Sequence, residues 1–230
     1  MGTTISFKRP DGKDVNGYLA EPAAGSKAPG IVVIQEWWGL NDQIKGVADN
    51  LATQGYRALV PDLYRGKSAL DAKEAEHLMN ALDFADAAGQ DVAGAVAHLH
   101  GSGSAKVGVT GFCMGGALTL LSSVFVKDIA AAVAWYGYPP LDYIDASKIT
   151  APLMGHWAIE DVPFPIANVV LLEQKLDAAK VSYEFHRYQA KHGFANQEAD
   201  SKGLAFLKHD PKNAALAWER TMGFFAKHLR

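Results

Sequence analysis

Short apolar runs alternating with amphipathic stretches constrain this chain more than any other feature. Gly30-Ile31-Val32-Val33-Ile34 carries no polar side chain, and a strand of that kind is stable only when both of its faces are covered, as in a parallel sheet. Tyr56 to Val60, Lys106 to Thr110, Ala130 to Tyr136 and Ala151 to His156 read as further strands. Between them lie segments whose apolar residues recur at helical spacing, such as Ile44, Val47, Ala48 and Leu51 within Asp42 to Gln54. Strand–helix alternation with short connections predicts an α/β architecture, a mostly parallel central sheet with helices on both faces. No linker-like stretch divides the chain, so residues 1–230 read as one domain. A hydrophobic content of 49% against 20% charged residues is enough to fill such a core.

Ile5 to Lys8, the turn Pro10-Asp11-Gly12 and Val15 to Leu19 predict an N-terminal hairpin or meander. Helices are expected over 69–88 and 90–100, broken near Gly89, and over 115–125 and 165–179. Tyr183 to Tyr188 reads as extended. Asn213 is a candidate cap for a last helix that puts Trp218, Met222, Phe225 and Leu229 on one face.

Twenty-two basic and 25 acidic residues leave a formal charge of −3, spread without long runs of one sign. With no basic excess to neutralise phosphates, a nucleic-acid partner is not expected. No segment has the length of a transmembrane helix, and Met1 to Pro10 lacks the apolar stretch of a signal peptide. The single cysteine, Cys113, excludes an intrachain disulfide and a Cys-ligated metal cluster. A lone thiol fits a reducing compartment, so the expectation is a cytoplasmic monomer with no membrane partner. No metal or organic cofactor is implied.

Cys113 stands in Gly111-Phe112-Cys113-Met114-Gly115-Gly116, between a strand and an apolar helix. That is the nucleophile-elbow pattern with cysteine where serine is usual. The sharp turn forces the central residue into a strained backbone and leaves no room for side chains two positions to either side. It also sets the sulfur at a helix N-terminus, where the helix dipole favours the reactive thiolate. The Met114 backbone N–H then becomes an oxyanion donor. An isolated cysteine is more often a buried core residue; the strand–turn–helix context argues for the nucleophile.

A thiol of this type needs a base, and the base needs an orienting carboxylate, in the chain order nucleophile, acid, histidine. Asp161 follows the Ala151–His156 strand and is the expected acid, with Glu160 in reserve. His192, in Lys191-His192-Gly193-Phe194, follows the Tyr183–Tyr188 strand and is the expected base. The other seven histidines precede the acid, lie within a strand, or come too late in the chain. Glu36 ends the Ile31–Ile34 strand beside Trp37 and Trp38, an unusual place for a carboxylate. The Trp37 backbone N–H is the candidate second oxyanion donor. Trp38, Tyr64 and Tyr136, near strand ends, are candidate substrate-lining residues.

Together these segments resemble the dienelactone hydrolases of the α/β-hydrolase superfamily. The likeness is carried by Val33-Ile34-Gln35-Glu36-Trp37-Trp38-Gly39-Leu40-Asn41, by Ala58-Leu59-Val60-Pro61-Asp62-Leu63-Tyr64, by the Cys113 elbow, and by Asp161 and His192-Gly193-Phe194. It implies an α/β-hydrolase fold and a Cys113–Asp161–His192 triad. It further implies that Glu36 holds the resting thiol away from the histidine and takes the thiol proton when substrate binds. In the family two arginines hold the substrate carboxylate. One of them lies four residues after the histidine, where this chain has Asn196, which makes Asn196 a further candidate substrate-lining residue, and no arginine falls between Arg65 and Arg187. Lys73 and Lys202 are point charges without a bidentate fork. The expected partner is therefore a small ester or lactone, cleaved through an acyl-enzyme, with dienelactone itself disfavoured. A ligand-binding or redox-sensing protein of the same fold is the alternative reading, and a thioesterase is a weaker one.

Overall fold

The computed structural model describes residues 1–230. Eight strands form one sheet in the order β1-β2-β4-β3-β5-β6-β7-β8. Strands β1 (Thr3–Lys8) and β2 (Asp14–Ala20) make the N-terminal hairpin, and β2 also pairs antiparallel with β4 (Arg57–Pro61). All other pairings are parallel: β3 (Gly30–Ile34) between β4 and β5 (Val107–Phe112), then β6 (Ala131–Trp135), β7 (Leu153–Ala158) and β8 (Tyr183–Tyr188). This is the α/β-hydrolase fold.

Strand β3 shows why the apolar runs are continuous. Ile31 and Val33 enter one core with Ala58, Val60, Ala131 and Val133, while Val32 and Ile34 enter the other with Leu59, Val107 and Val109. Both faces are sealed, so neither set tolerates a polar residue. Helices α1 (Asp42–Thr53) and α7 (Pro211–Leu229) cover the first face; α4 (Ala93–Gly101), α5 (Met114–Phe125) and α6 (Ile166–Ala178) cover the second. Each parallel strand therefore ends at the same edge, where the loops carrying Glu36, Cys113, Tyr136, Asp161 and His192 converge.

Two helix boundaries differ from expectation. The segment after β4 breaks at Ala81–Asp83, between α2 (Ala72–Asn80) and α3 (Phe84–Asp86), and not at Gly89. Asp83 accepts the Asp86 N–H and starts a new helix there, whereas Gly89 lies inside a π-helical stretch, Ala87–Val92, that runs on into α4. A glycine lowers helix propensity but does not end a helix that has partners on both sides. The last helix is capped by Asp210, whose Oδ1 accepts the Asn213 N–H at 3.0 Å, with Pro211 at the first helical position. Asn213 is the recipient of the cap, because the proline already stands inside the helix.

The π-helical stretch carries Asp91, buried between two arginines. Arg9 reaches it at 3.1 Å and Arg65 at 2.8 Å, and Arg9 also binds Asp86 and Asp11 at 2.8 Å. This network ties the β1–β2 turn and the loop after β4 to the helical layer. Removing one member of a buried pair strands the other charge at a cost of about 3–5 kcal/mol. Here Arg9 keeps Asp11 and Asp86 and Arg65 is half exposed, so Asp91→Ala is expected to lower the urea-unfolding free energy by less, about 1.5–3 kcal/mol, whereas Asp14→Ala, which breaks only the exposed Lys8 pair, should cost less than about 1 kcal/mol.

Candidate active site

The turn between β5 and α5 holds Cys113 at φ 56°, ψ −118°, a conformation that ordinary side chains rarely adopt. Three backbone hydrogen bonds keep it there. The Cys113 N–H donates to the Trp135 carbonyl at 3.0 Å, and its own carbonyl accepts from Gly116 at 2.9 Å and Ala117 at 3.2 Å. The elbow packs directly on the chain leaving β6. A Cβ on Gly137 would run into the Cys113 carbonyl oxygen, and one on Gly111 into that of Gly115. Tyr136, just before Gly137, is itself in the left-handed region at φ 37°. Two strained residues in contact, each costing about 1–3 kcal/mol, persist only because the surrounding chain over-determines them.

Behind Cys113 stand the expected acid and base. Asp161 follows β7 and His192 follows β8, and the structure brings them together: His192 Nδ1 meets Asp161 Oδ2 at 2.8 Å. Asp161 Oδ1 accepts the Phe164 N–H at 2.8 Å, which fixes the carboxylate's orientation. Glu160, the reserve, is exposed and bonded to Gln189. The His192 ring is stacked by Phe164, centroids 5.4 Å apart, and met edge-on by Tyr136 at 5.2 Å. Its loop is pinned by Gly193 at φ 71° and by the Lys208 N–H donating to the His192 carbonyl. With Nδ1 taken by Asp161, Nε2 is the nitrogen available to Cys113. Burial disfavours the charged ring, but the adjacent Cys113 sulfur and the Asp161 carboxylate outweigh it and push His192 up to about 10.

Glu36 is 5% exposed. Its Oε1 accepts from the Tyr136 hydroxyl at 3.2 Å and its Oε2 from the Asn196 amide at 2.6 Å. Burial pushes this carboxyl above its ordinary value, opposed by the His192 charge and by those two hydrogen bonds. Tyr136 and Asn196, expected as substrate-lining residues, thus both serve Glu36. The Tyr64 hydroxyl rests on the Met114 sulfur at 3.3 Å, and Trp38 is buried beneath the Lys202 ammonium, 4.8 Å from the ring centre. The Met114 N–H begins α5, and neither it nor the Trp37 N–H enters a loop or turn hydrogen bond. That is the state an oxyanion-binding pair requires. Sequence reasoning assigned no role to Phe164, or to Phe194 beyond its place in the histidine motif. Phe164 signals itself only as the third residue after Asp161, and Phe194 is a fully buried anchor against Trp135, Tyr136 and Tyr188.

Comparison with known proteins gives the family. The model of the dienelactone hydrolase family matches residues 15–229. The chain belongs to the dienelactone hydrolase family. It is 33% identical over the full length of both chains to protein usf of Aquifex pyrophilus. It is 31% identical, again over both full lengths, to an Aquifex aeolicus protein named "Putative carboxymethylenebutenolidase". Among solved structures, "Putative Dienelactone Hydrolase" of Klebsiella pneumoniae superposes with a TM-score of 0.84 at 27% identity, covering 99% of each chain. A dienelactone hydrolase-like promiscuous phosphotriesterase from metagenomic libraries shares the fold, with a TM-score of 0.87 at 24% identity over 100% of this chain and 99% of its own. As a member of this family the protein is a carboxylic ester hydrolase.

The contact between Gly137 and the elbow makes a direct prediction. Gly137→Ala should lower the melting temperature by several degrees, the effect of at least about 1 kcal/mol at this chain length. Gly223→Ala, in α7 with open space around it, should instead raise stability by about 0.5–1 kcal/mol.

Proposed function

We propose that the protein is a cysteine hydrolase that opens a small ester or lactone through an acyl-enzyme on Cys113. The observation that carries this reading is the His192–Asp161 contact at 2.8 Å, on a ring whose charged form is favoured by the neighbouring Cys113 sulfur. The thiol proton passes to His192, and the thiolate attacks the substrate carbonyl carbon. The resulting oxyanion is received by the Trp37 and Met114 N–H groups. The C–O bond then breaks, and the leaving oxygen takes the proton from His192. A water, deprotonated by His192, attacks the thioester and releases the carboxylic acid and the Cys113 thiol. Asp161 holds the imidazole in the tautomer that keeps Nε2 toward the sulfur.

The site favours neutral substrates over a dienelactone carboxylate. No arginine fork faces it: Arg65 is taken by Asp91, the Asn196 amide is turned to Glu36, and Lys202 is paired with Glu198 at 2.9 Å. Lys73 is exposed on α2. Trp38 and Tyr64 are proposed to wall the acyl side of the pocket. A monomer in a reducing, cytoplasmic setting fits the single free thiol. No helix is long and apolar enough to cross a membrane.

Turnover of aryl esters, neutral lactones and cis- and trans-dienelactone tests the proposal. Neutral substrates should show the higher kcat/KM. Cys113→Ala should abolish turnover, and Asp161→Asn should lower kcat by about 10³–10⁴-fold through the wrong imidazole tautomer. Full activity in Cys113→Ala, or tight ligand binding without hydrolysis by the wild type, would overturn it in favour of a binding protein.

A further inference from the structure

On the flank of the sheet, away from the catalytic edge, strand β8 and helix α7 enclose a cleft of about 320 Å³. β8 is the last strand of the sheet, and its residues Glu184 and His186 line the cleft opposite Arg220, Gly223 and Lys227 of α7. Arg9, Arg57, Arg65 and Arg187 each hold a carboxylate. Arg220 holds none. Its Nη1 donates to the Tyr188 hydroxyl at 3.0 Å and its guanidinium lies over that ring, 5.5 Å from the centre, which leaves Nε and Nη2 without a partner.

Buried groups fix this guanidinium from behind. The Tyr188 hydroxyl accepts from Arg220, so its own proton goes to His156 Nδ1, 2.9 Å away, and His156 Nε2–H is left to donate to Thr221 Oγ1 at 2.8 Å. His156 is fully buried and Tyr188 is 3% exposed. The His186 ring stacks on His156, centroids 5.7 Å apart and 19° from parallel. Its Nε2 is buried without a partner. Burial and the nearby Arg220 charge disfavour charging of this ring. A buried nitrogen beside a guanidinium is better left as a lone pair than as an N–H, so the ring proton sits on Nδ1, the nitrogen that remains for the cleft.

We propose that this cleft is a binding site for the carboxylate of a small organic acid, with the unpartnered edge of Arg220 and the His186 Nδ1–H as its donors. The charges favour a monoanion. Arg220 and Lys227 face one carboxylate, Glu184, which lies 3.8 Å from Lys227, and the histidines add no charge when neutral. One bound carboxylate balances the set, whereas a phosphate dianion would leave it negative beside Glu184. The guanidinium edge also matches the two oxygens of a carboxylate. The body of the acid has an apolar floor in Met154 and Phe224. It has room above Gly223, where an added Cβ would meet nothing within 4 Å.

The test is titration of protein carrying ¹³C-labelled histidine with sodium benzoate at neutral pH, with sodium chloride holding the ionic strength constant. The His186 ring resonances, identified by their loss in His186→Gln, should shift and saturate. Arg220→Lys keeps the charge without the planar fork and should weaken benzoate binding at least about tenfold. Gly223→Leu fills the space above the floor and should weaken it as strongly while leaving Arg220 in place. Inorganic phosphate at the same ionic strength should move His186 less at every concentration.

Unmoved His186 resonances overturn the proposal, and so does a benzoate shift confined to His192, which would place binding at the Cys113 site alone. Wild-type affinity in both Arg220→Lys and Gly223→Leu overturns it too, and phosphate binding as tight as benzoate overturns the carboxylate assignment. None of these readouts involves Cys113, so the result is independent of the proposed hydrolysis.

Discussion

The contact between the elbow and the chain leaving β6 is the constraint on which the site depends. Cys113 takes a left-handed backbone because its N–H is captured by the Trp135 carbonyl while its own carbonyl caps the first turn of α5. That geometry works only if Gly137 has no side chain, since a Cβ there would overlap the Cys113 carbonyl oxygen. The same contact forces Tyr136 to φ 37° and thereby carries its hydroxyl to Glu36. Cys113, Tyr136 and Glu36 are therefore one mechanical unit, held by backbone contacts in place of flexible side chains. Strain at two adjoining residues is stable here because the parallel sheet on either side fixes both chain directions before the turn is made.

Around this unit the electrostatics divide by burial. Asp161 is buried but receives two hydrogen bonds, from Phe164 and His192, and keeps its orienting role. Glu36 is buried with two neutral donors and no cation in its seat, so burial pushes its carboxyl upward. Two carboxyl groups at one edge of the sheet thus receive different chemical assignments from their environments. The histidine between them is buried, stacked by Phe164 and met edge-on by Tyr136, with Nδ1 held by Asp161. A second buried histidine, His156, shows the contrast. Held between the Tyr188 hydroxyl and Thr221, it has both ring nitrogens occupied, and burial depresses its charging. It lies within the core, where it supports Trp135 and not chemistry.

Much of this was legible in the chain itself. The continuous apolar run of β3 could only be a strand covered on both sides, and the spacing Gly-x-Cys-x-Gly between strand and helix could only be a tight turn. Asp161 and His192 were legible by their order after successive strands, because a parallel sheet places every such loop at one edge. Boundaries set by side-chain capping were less so. Asp83 and Asp210 override Gly89 and Asn213, since a carboxylate that captures a free N–H determines where a helix starts more strongly than propensity does. The partners of Glu36 were not legible at all. Tyr136 and Asn196 lie 100 and 160 residues away from it in the chain.

The sequence by itself determined the sheet and the elbow and put Cys113, Asp161 and His192 at one edge, because each rests on local periodicity or on chain order along a parallel sheet. Only the tertiary structure decided what restrains Glu36, which nitrogen of His192 faces the thiol, and that Asn196 points its donor inward. Those are properties of long-range contacts. A hydrogen bond between residues a hundred or more positions apart leaves no periodic trace, and its direction depends on which lone pairs the neighbouring loops have already occupied.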